Sequence, residues 1–226
     1  MKNLVIAIDG PAASGKSTTS KLAAQRLGYL YVDTGAMYRA MTLKVLEHHI
    51  NIDDKRAIAA LAGNTEICFK RRDGDLRVLL DQRDVTENIR SQAVTKAVSA
   101  VSMVEEVRES MVRIQRSMAE QGGIVVEGRD IGTVVFPKAD LKIFMVADVR
   151  QRATRRQKEL ARQGTEIVLD DLVEDIRQRD QKDSGRGISP LRKASDAIEL
   201  DTSDLSIEQQ VDFIVHEVEK IQRQRT

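Results

Sequence analysis

The chain has 226 residues, of which 41% are hydrophobic, and its 36 basic and 35 acidic side chains leave a net charge of +1. That is enough apolar material for a buried core, while the balanced charge denies it the basic field that duplex nucleic acid or an anionic membrane would need. A single cysteine, Cys68, excludes an intrachain disulfide, no Cys/His cluster has metal-ligand spacing, and no segment reaches the length of a membrane span.

In chain order, the apolar run Val5–Asp9 reads as a buried strand ending at a Gly-rich turn, too short for the h-region of a signal peptide. Lys16–Leu27 reads as a helix stopped by Gly28, and 29–33 as a second strand. Residues 37–48 are helical in pattern, with a further short helix over 54–61. Within 65–86 two alternating runs flank Asp73-Gly74, a hairpin signal, and Asp84-Val85-Thr86 adds a third short strand. Two polar-apolar helices follow over 89–102 and 103–120. Strands are expected at 122–130, where a Gly-bearing turn follows, at 141–148 and at 197–201. Helices are expected at 149–163, which is strongly basic, and at 168–182. Ser206 with Gln209 makes a capping box for the C-terminal helix. Strands alternating with helices at both ends predict an α/β fold, a parallel sheet covered on both faces. The antiparallel stretch at 63–86 interrupts it as a small insertion.

The segment "GPAASGKS" sets Gly10, Gly15, Lys16 and Ser17 in the spacing G-x-x-x-x-G-K-[ST], between a predicted strand and a predicted helix. Glycine lets successive backbone N–H groups turn toward phosphate oxygens, and the helix that starts there adds its dipole. Lys16 brings charge to the terminal phosphates and the Ser17 hydroxyl can ligate Mg2+. The loop therefore implies a nucleoside triphosphate with Mg2+, held by Gly10, Pro11, Ala12, Ala13, Ser14, Gly15, Lys16, Ser17 and Thr18. It does not separate a kinase from a switch or a motor.

Three later motifs narrow the choice: "DTGAMYR" at 33–39, "EGRDIGTVVFP" at 127–137 and "RDQKDSGRGISPL" at 179–191. With the phosphate loop they closely resemble the bacterial cytidylate kinases, a family of nucleoside-monophosphate kinases, over about 3–217. The resemblance implies transfer of phosphate from ATP to CMP or dCMP by a cytoplasmic monomer. It implies a P-loop core (1–36 and 121–226), a mobile nucleotide-binding region (37–120, including the insertion) and a short lid at about 149–166. The lid arginines would be Arg150, Arg152, Arg155, Arg156 and Arg162, which read alone are also a solvated helix face.

Carried over position by position, the resemblance puts Arg39 and Arg129 on the CMP phosphate, where a guanidinium fork suits a dianion. Thr34, Arg108, Asp130 and Arg186 would surround the cytosine; Thr34 stands where the family can carry serine. Ser99, Arg179 and Asp183 would hold the sugar. Lys16, Arg129, Asp130, Arg155 and Arg156 would form the catalytic set. Read without the resemblance, Asp130 is equally a partner of Arg129 or a carboxylate on the magnesium side. Ser99 and Arg108 are then polar helix positions, and Asp183 and Arg186 a helix cap. His48, His49 and His216 receive no role. Two rivals stand beside this reading: a nucleotide-hydrolysing switch, against which no guanine-reading N-K-x-D motif appears, and a small-molecule kinase with another acceptor.

Overall fold

The computed structural model describes residues 3–72, 75–162 and 164–225. The expected Asp73-Gly74 turn and Gln163, inside the expected lid, lie outside the described residues. The chain forms two compact units, Met1–Val32 with Gln121–Thr226, and Asp33–Glu120.

Unit one is built on a five-stranded sheet in the order β2-β6-β1-β7-β8. Its strands are β1 (Val5–Asp9), β2 (Leu30–Asp33), β6 (Ile124–Gly128), β7 (Leu141–Val146) and β8 (Ile198–Asp201). β1 pairs in parallel with β6 on one side and β7 on the other, and β7 in parallel with β8. A central strand covered on both faces must be apolar along its length, which is why Val5–Asp9 shows no polar alternation. Leu4, Ile6, Ile8, Val125, Ile143 and Met145 pack with Ala23 and Ala24 of helix α1 (Lys16–Leu27) and with Val211, Ile214 and Val218 of helix α8 (Ile207–Gln224). Gly28 closes α1 in the left-handed conformation, and the Ser206–Gln209 capping box opens α8. Helices α6 (Val149–Arg162) and α7 (Leu169–Ser184) share a small second core of Ala153, Leu172, Val173 and Ile176. The register aligns Asp9 with Gly128 and with Phe144, so the turns after β1 and β6 emerge side by side at the carboxyl edge.

Unit two opens with helix α2, which spans Thr34–Glu47 and so starts three residues before the predicted position. Asp33 is the cause: its carboxylate accepts the Ala36 N–H at 3.1 Å, an N-cap that draws Thr34 and Gly35 into the first turn. Helices α3 (Lys55–Gly63), α4 (Gln92–Val101) and α5 (Glu105–Met118) follow the predicted order. The insertion is a separate antiparallel sheet of β3 (Ile67–Arg72), β4 (Asp75–Leu80) and β5 (Arg83–Asp84). β5 ends before Thr86, because Asp84 Oδ1 takes both the Thr86 N–H at 3.0 Å and its hydroxyl at 2.6 Å and turns the chain.

Candidate active site

The loop between β1 and α1 is bent by glycine where glycine is required. Gly10 has φ +151°, and a Cβ there would sit 2.2 Å from the Met145 carbonyl oxygen of β7. Ala13 and Gly15 are left-handed at φ +58° and +94°, the alternation that turns N–H groups toward one concavity. Lys16 is buried, and its ammonium donates to the Pro11 carbonyl at 2.7 Å and the Ser14 hydroxyl at 3.3 Å. Ser17 and Thr18 are exposed at the start of α1. Thr19, one residue on, donates to Gln210 Oε1 at 2.6 Å and ties α1 to α8.

Nothing in the sequence marks Asp9, the last residue of β1, as a site residue. Its carboxylate accepts two backbone donors, Ile131 N–H at 2.8 Å and Gly132 N–H at 2.7 Å. These open a π-helical turn, Ile131–Val135, where a simple glycine-bearing turn was predicted. Such turns insert an extra residue and recur at functional sites. Burial pushes the Asp9 carboxyl up to about 6, against the two N–H groups that favour its charge. Burial also pulls the Lys16 ammonium down to about 7, and nearby Arg129 adds to the effect while Glu127 and Asp9 oppose it. An anionic phosphate beside Lys16 would reverse that shift.

Arg129 follows β6 directly. Its Nε donates to Asp183 Oδ2 at 2.8 Å, and its Nη1 to the Gly128 carbonyl at 3.3 Å. Asp183, at the end of α7 and 3% exposed, also pairs through Oδ1 with Arg186. Burial alone would raise the Asp183 carboxyl, but Arg129, Arg186 and Arg179 outweigh it and hold it below the ordinary carboxylate range. Arg186 Nε is buried with no acceptor among the described residues. Asp130 is buried beside this cluster and adds negative charge near Asp9. Lys16, Arg129, Asp130, Arg179, Asp183 and Arg186 thus form one charged neighbourhood in unit one, and the cap reading of Asp183 and Arg186 gives way to an arginine–aspartate–arginine clamp.

The basic helix α6 divides its arginines. Arg150 pairs with Asp170 at 3.4 Å and Arg156 with Glu159 at 2.7 Å, both at the surface. Arg152 is buried; it donates to Ala147 and Ala12 carbonyls at 3.0 Å each and pairs with Asp180 at 2.7 Å. Arg155 donates to the Thr202 hydroxyl at 3.1 Å, to the Thr202 carbonyl, and at 3.3 Å to the Ser203 carbonyl. These two are therefore not part of a solvated face. Basic clustering pointed to α6, but nothing in the sequence says which arginines turn inward.

In unit two, α2 carries Thr34, buried in its first turn, and Arg39, whose Nη1 donates to Thr95 of α4 at 3.0 Å. Ser99 lies one turn further along α4 and is half-buried. Arg108, on α5, is 5% exposed, and its guanidinium sits over the Tyr38 ring, 5.5 Å from the centroid. A cation so enclosed is not a solvated helix residue; the aromatic face offsets part of its lost hydration. Nothing in the sequence marks Tyr38 for this role, although it precedes Arg39 in the same motif.

Among the described residues no helix is long and apolar enough to cross a membrane, and no group of three or more His, Cys, Asp or Glu could hold a metal ion. The protein-family model for cytidylate kinase matches residues 6–220. A cytidylate kinase of Geobacillus sp. (strain WCH70) is 50% identical over 213 residues, covering 94% of this chain and 95% of that protein. A cytidylate kinase of Streptococcus sanguinis (strain SK36) is 50% identical over 222 residues, covering 98% and 99%. The fold is shared with a crystal structure of a gluconokinase from Sinorhizobium meliloti 1021, at 12% identity and TM-score 0.50, covering 99% of this chain and 98% of that one. A phosphate-binding loop on a parallel sheet, a buried lysine within it and a match along almost the whole length lead to one conclusion: the chain belongs to the cytidylate kinase family and is a kinase, a phosphotransferase.

Proposed function

We propose that this protein transfers the γ-phosphoryl group of ATP to CMP and dCMP, giving ADP and CDP or dCDP. The observation that carries the reading is the Arg129–Asp183–Arg186 clamp beside Lys16. It concentrates fixed positive charge next to a triphosphate loop, as transfer between two polyanions requires. A CMP phosphate oxygen attacks the γ-phosphorus while the bond to the bridging β-oxygen breaks and ADP leaves. The attacking phosphate needs no general base. The protein supplies positioning and charge.

Residues 10–18 bind the ATP phosphates, with Lys16 at the β- and γ-positions. In unit one Arg129 takes the CMP phosphate, Arg179 and Asp183 the sugar, and Asp130 and Arg186 the base. The buried Arg186 Nε is a donor awaiting an acceptor, which cytosine supplies at O2 or N3. Unit two is the CMP-binding region, contributing Arg39 to the phosphate, Thr34 and Arg108 to the base and Ser99 to the sugar. Residues 149–166 act as the lid, and Arg155 and Arg156 complete the catalytic set. The exposed Ser17 hydroxyl, with phosphate oxygens and water, suits Mg2+, which commonly takes few protein ligands when bound to a nucleotide. The ion, when bound, neutralises charge on the β- and γ-phosphates. On this reading the enzyme acts as a monomer in the cytoplasm, as the family resemblance implies.

Coupled ADP release with CMP, dCMP, UMP and AMP as acceptors tests the reading. CMP and dCMP should turn over well and the others poorly. ADP release without an acceptor at a comparable rate would overturn it.

A further inference from the structure

We propose that Arg152, which the resemblance counts among the lid arginines, and Thr202, to which the proposed function gives no role, are positioning residues that set the direction of the phosphate-binding N–H groups of Ala13 and Gly15. The inference rests on the assignment of residues 10–18 to the ATP phosphates.

A trans peptide fixes its C=O and N–H on opposite sides, so whatever holds the carbonyl aims the N–H of the next residue. No described peptide is cis. The carbonyl of Ala12 is held by Arg152 Nη1 at 3.0 Å, which aims the Ala13 N–H the other way. The carbonyl of Ser14 lies 3.1 Å from the Thr202 hydroxyl and 3.5 Å from Arg155 Nη1, which does the same for Gly15. Thr202 has one hydroxyl proton and two carbonyls at 3.1 Å, Ser14 and Val146. Each carbonyl can accept twice; Val146 already has the Thr202 backbone N–H at 2.8 Å and Ser14 the longer 3.5 Å contact from Arg155 Nη1, so the hydroxyl proton adds more at Ser14.

Both devices are rigid. Thr202 is fully buried and accepts from Arg155 at 3.1 Å. Arg152 is fixed three ways, by the Ala147 and Ala12 carbonyls and by Asp180 of α7. Ala13 itself packs against the small α6–α7 core. Left-handed Ala13 is a conformation that an L-residue keeps only when its surroundings hold it. External clamps on the loop's outward carbonyls keep the inward N–H groups aligned before ATP arrives, which lowers the ordering cost of binding.

The test measures dissociation constants for ATP, for tripolyphosphate with Mg2+ and for CMP, in wild type, Thr202→Val, Thr202→Ser and Arg152→Lys, with the melting temperature of each. Valine keeps the shape of Thr202 and loses the hydroxyl; serine keeps the hydroxyl. Lysine keeps the charge of Arg152 without the fork that spans two carbonyls. Thr202→Val should weaken ATP and tripolyphosphate by the same factor, about 3- to 10-fold for the hydrogen bond lost at the Ser14 carbonyl, while Arg155, which loses the hydroxyl, keeps the Thr202 and Ser203 carbonyls as acceptors. It should leave CMP unchanged, and Thr202→Ser should restore the loss. Arg152→Lys should repeat the pattern. A folded Thr202→Val that binds tripolyphosphate as wild type does, or that weakens CMP equally, overturns the positioning role. Wild type that fails to bind tripolyphosphate in competition with ATP overturns the phosphate-loop assignment itself.

Discussion

Arg129 Nε donates to Asp183 Oδ2 at 2.8 Å, joining two motifs 54 residues apart in sequence. The carboxylate is almost fully buried between Arg129 and Arg186, so its charge is compensated by this pair of guanidinium groups. Removing it strands two cations that are themselves largely enclosed. Asp183→Ala should lower stability by about 3 kcal/mol, less than a fully buried pair would because Arg129 keeps some solvent contact. Because the folded carboxyl lies below its ordinary value, its contribution is present above about pH 4 and is lost as the pH falls through the folded value. Urea unfolding at pH 7 and at successively lower pH below about 4 should show the two proteins differing at pH 7 and converging once the pH passes under the folded value.

Lys16→Met should leave the fold intact and cut kcat/KM by about 10²-fold or more, since the ammonium acts where charge develops. Steady-state kinetics with ATP and CMP reads it; near-normal turnover would remove Lys16 from the site. The same variant should be at least as stable as wild type without nucleotide at pH 7, because it relieves a buried cation.

The lowered Lys16 ammonium gives a signature of its own. Between about 7 and its ordinary 10.5, the unfolded chain holds a proton that the native chain has released. Stability of the nucleotide-free protein should therefore rise with pH across that window, more in wild type than in Lys16→Met. Bound ATP should restore the proton, because its phosphates favour the charged ammonium. Calorimetry at pH 8 in two buffers of different ionisation enthalpy should show proton uptake on ATP binding in wild type and none in the variant.

Arg108 decides base choice in the proposed reading. Guanidinium has donors and no acceptor; cytosine offers acceptors at N3 and O2, whereas uracil carries an N–H at position 3. One lost charged hydrogen bond is worth about 1.5–3 kcal/mol, or roughly 10- to 150-fold. Wild type should prefer CMP to UMP by that margin. Arg108→Met should cut kcat/KM strongly for CMP and weakly for UMP. Tyr38→Leu, which removes the ring beneath the guanidinium, should shrink the preference in the same direction. An unchanged CMP/UMP ratio in Arg108→Met takes Arg108 out of the base site.

Features that depend on local pattern can be read from the residues themselves. The run Val5–Asp9, the spacing from Gly10 to Ser17, Gly28 after α1 and the Ser206 capping box are short-range signals, and the structure reproduces those elements. The order of strands and helices also fixed the α/β class, because an uninterrupted apolar strand must be covered on both faces. Which polar groups meet is settled by packing in three dimensions. Asp9 looks like the end of a strand until the parallel register sets it beside Gly128 and its carboxylate reaches Ile131 and Gly132. The five named arginines of α6 look alike in sequence, yet Arg152 is buried on the Ala12 carbonyl while Arg156 pairs with Glu159 at the surface. Arg108 reads as a surface helix position until α5 packs on α2 and encloses it over Tyr38. Local propensity has a range of a few residues. Partners such as Arg152 with Ala12, 140 residues apart, are chosen by packing of the whole unit, where a buried charge must find its hydrogen bonds or the unit does not form.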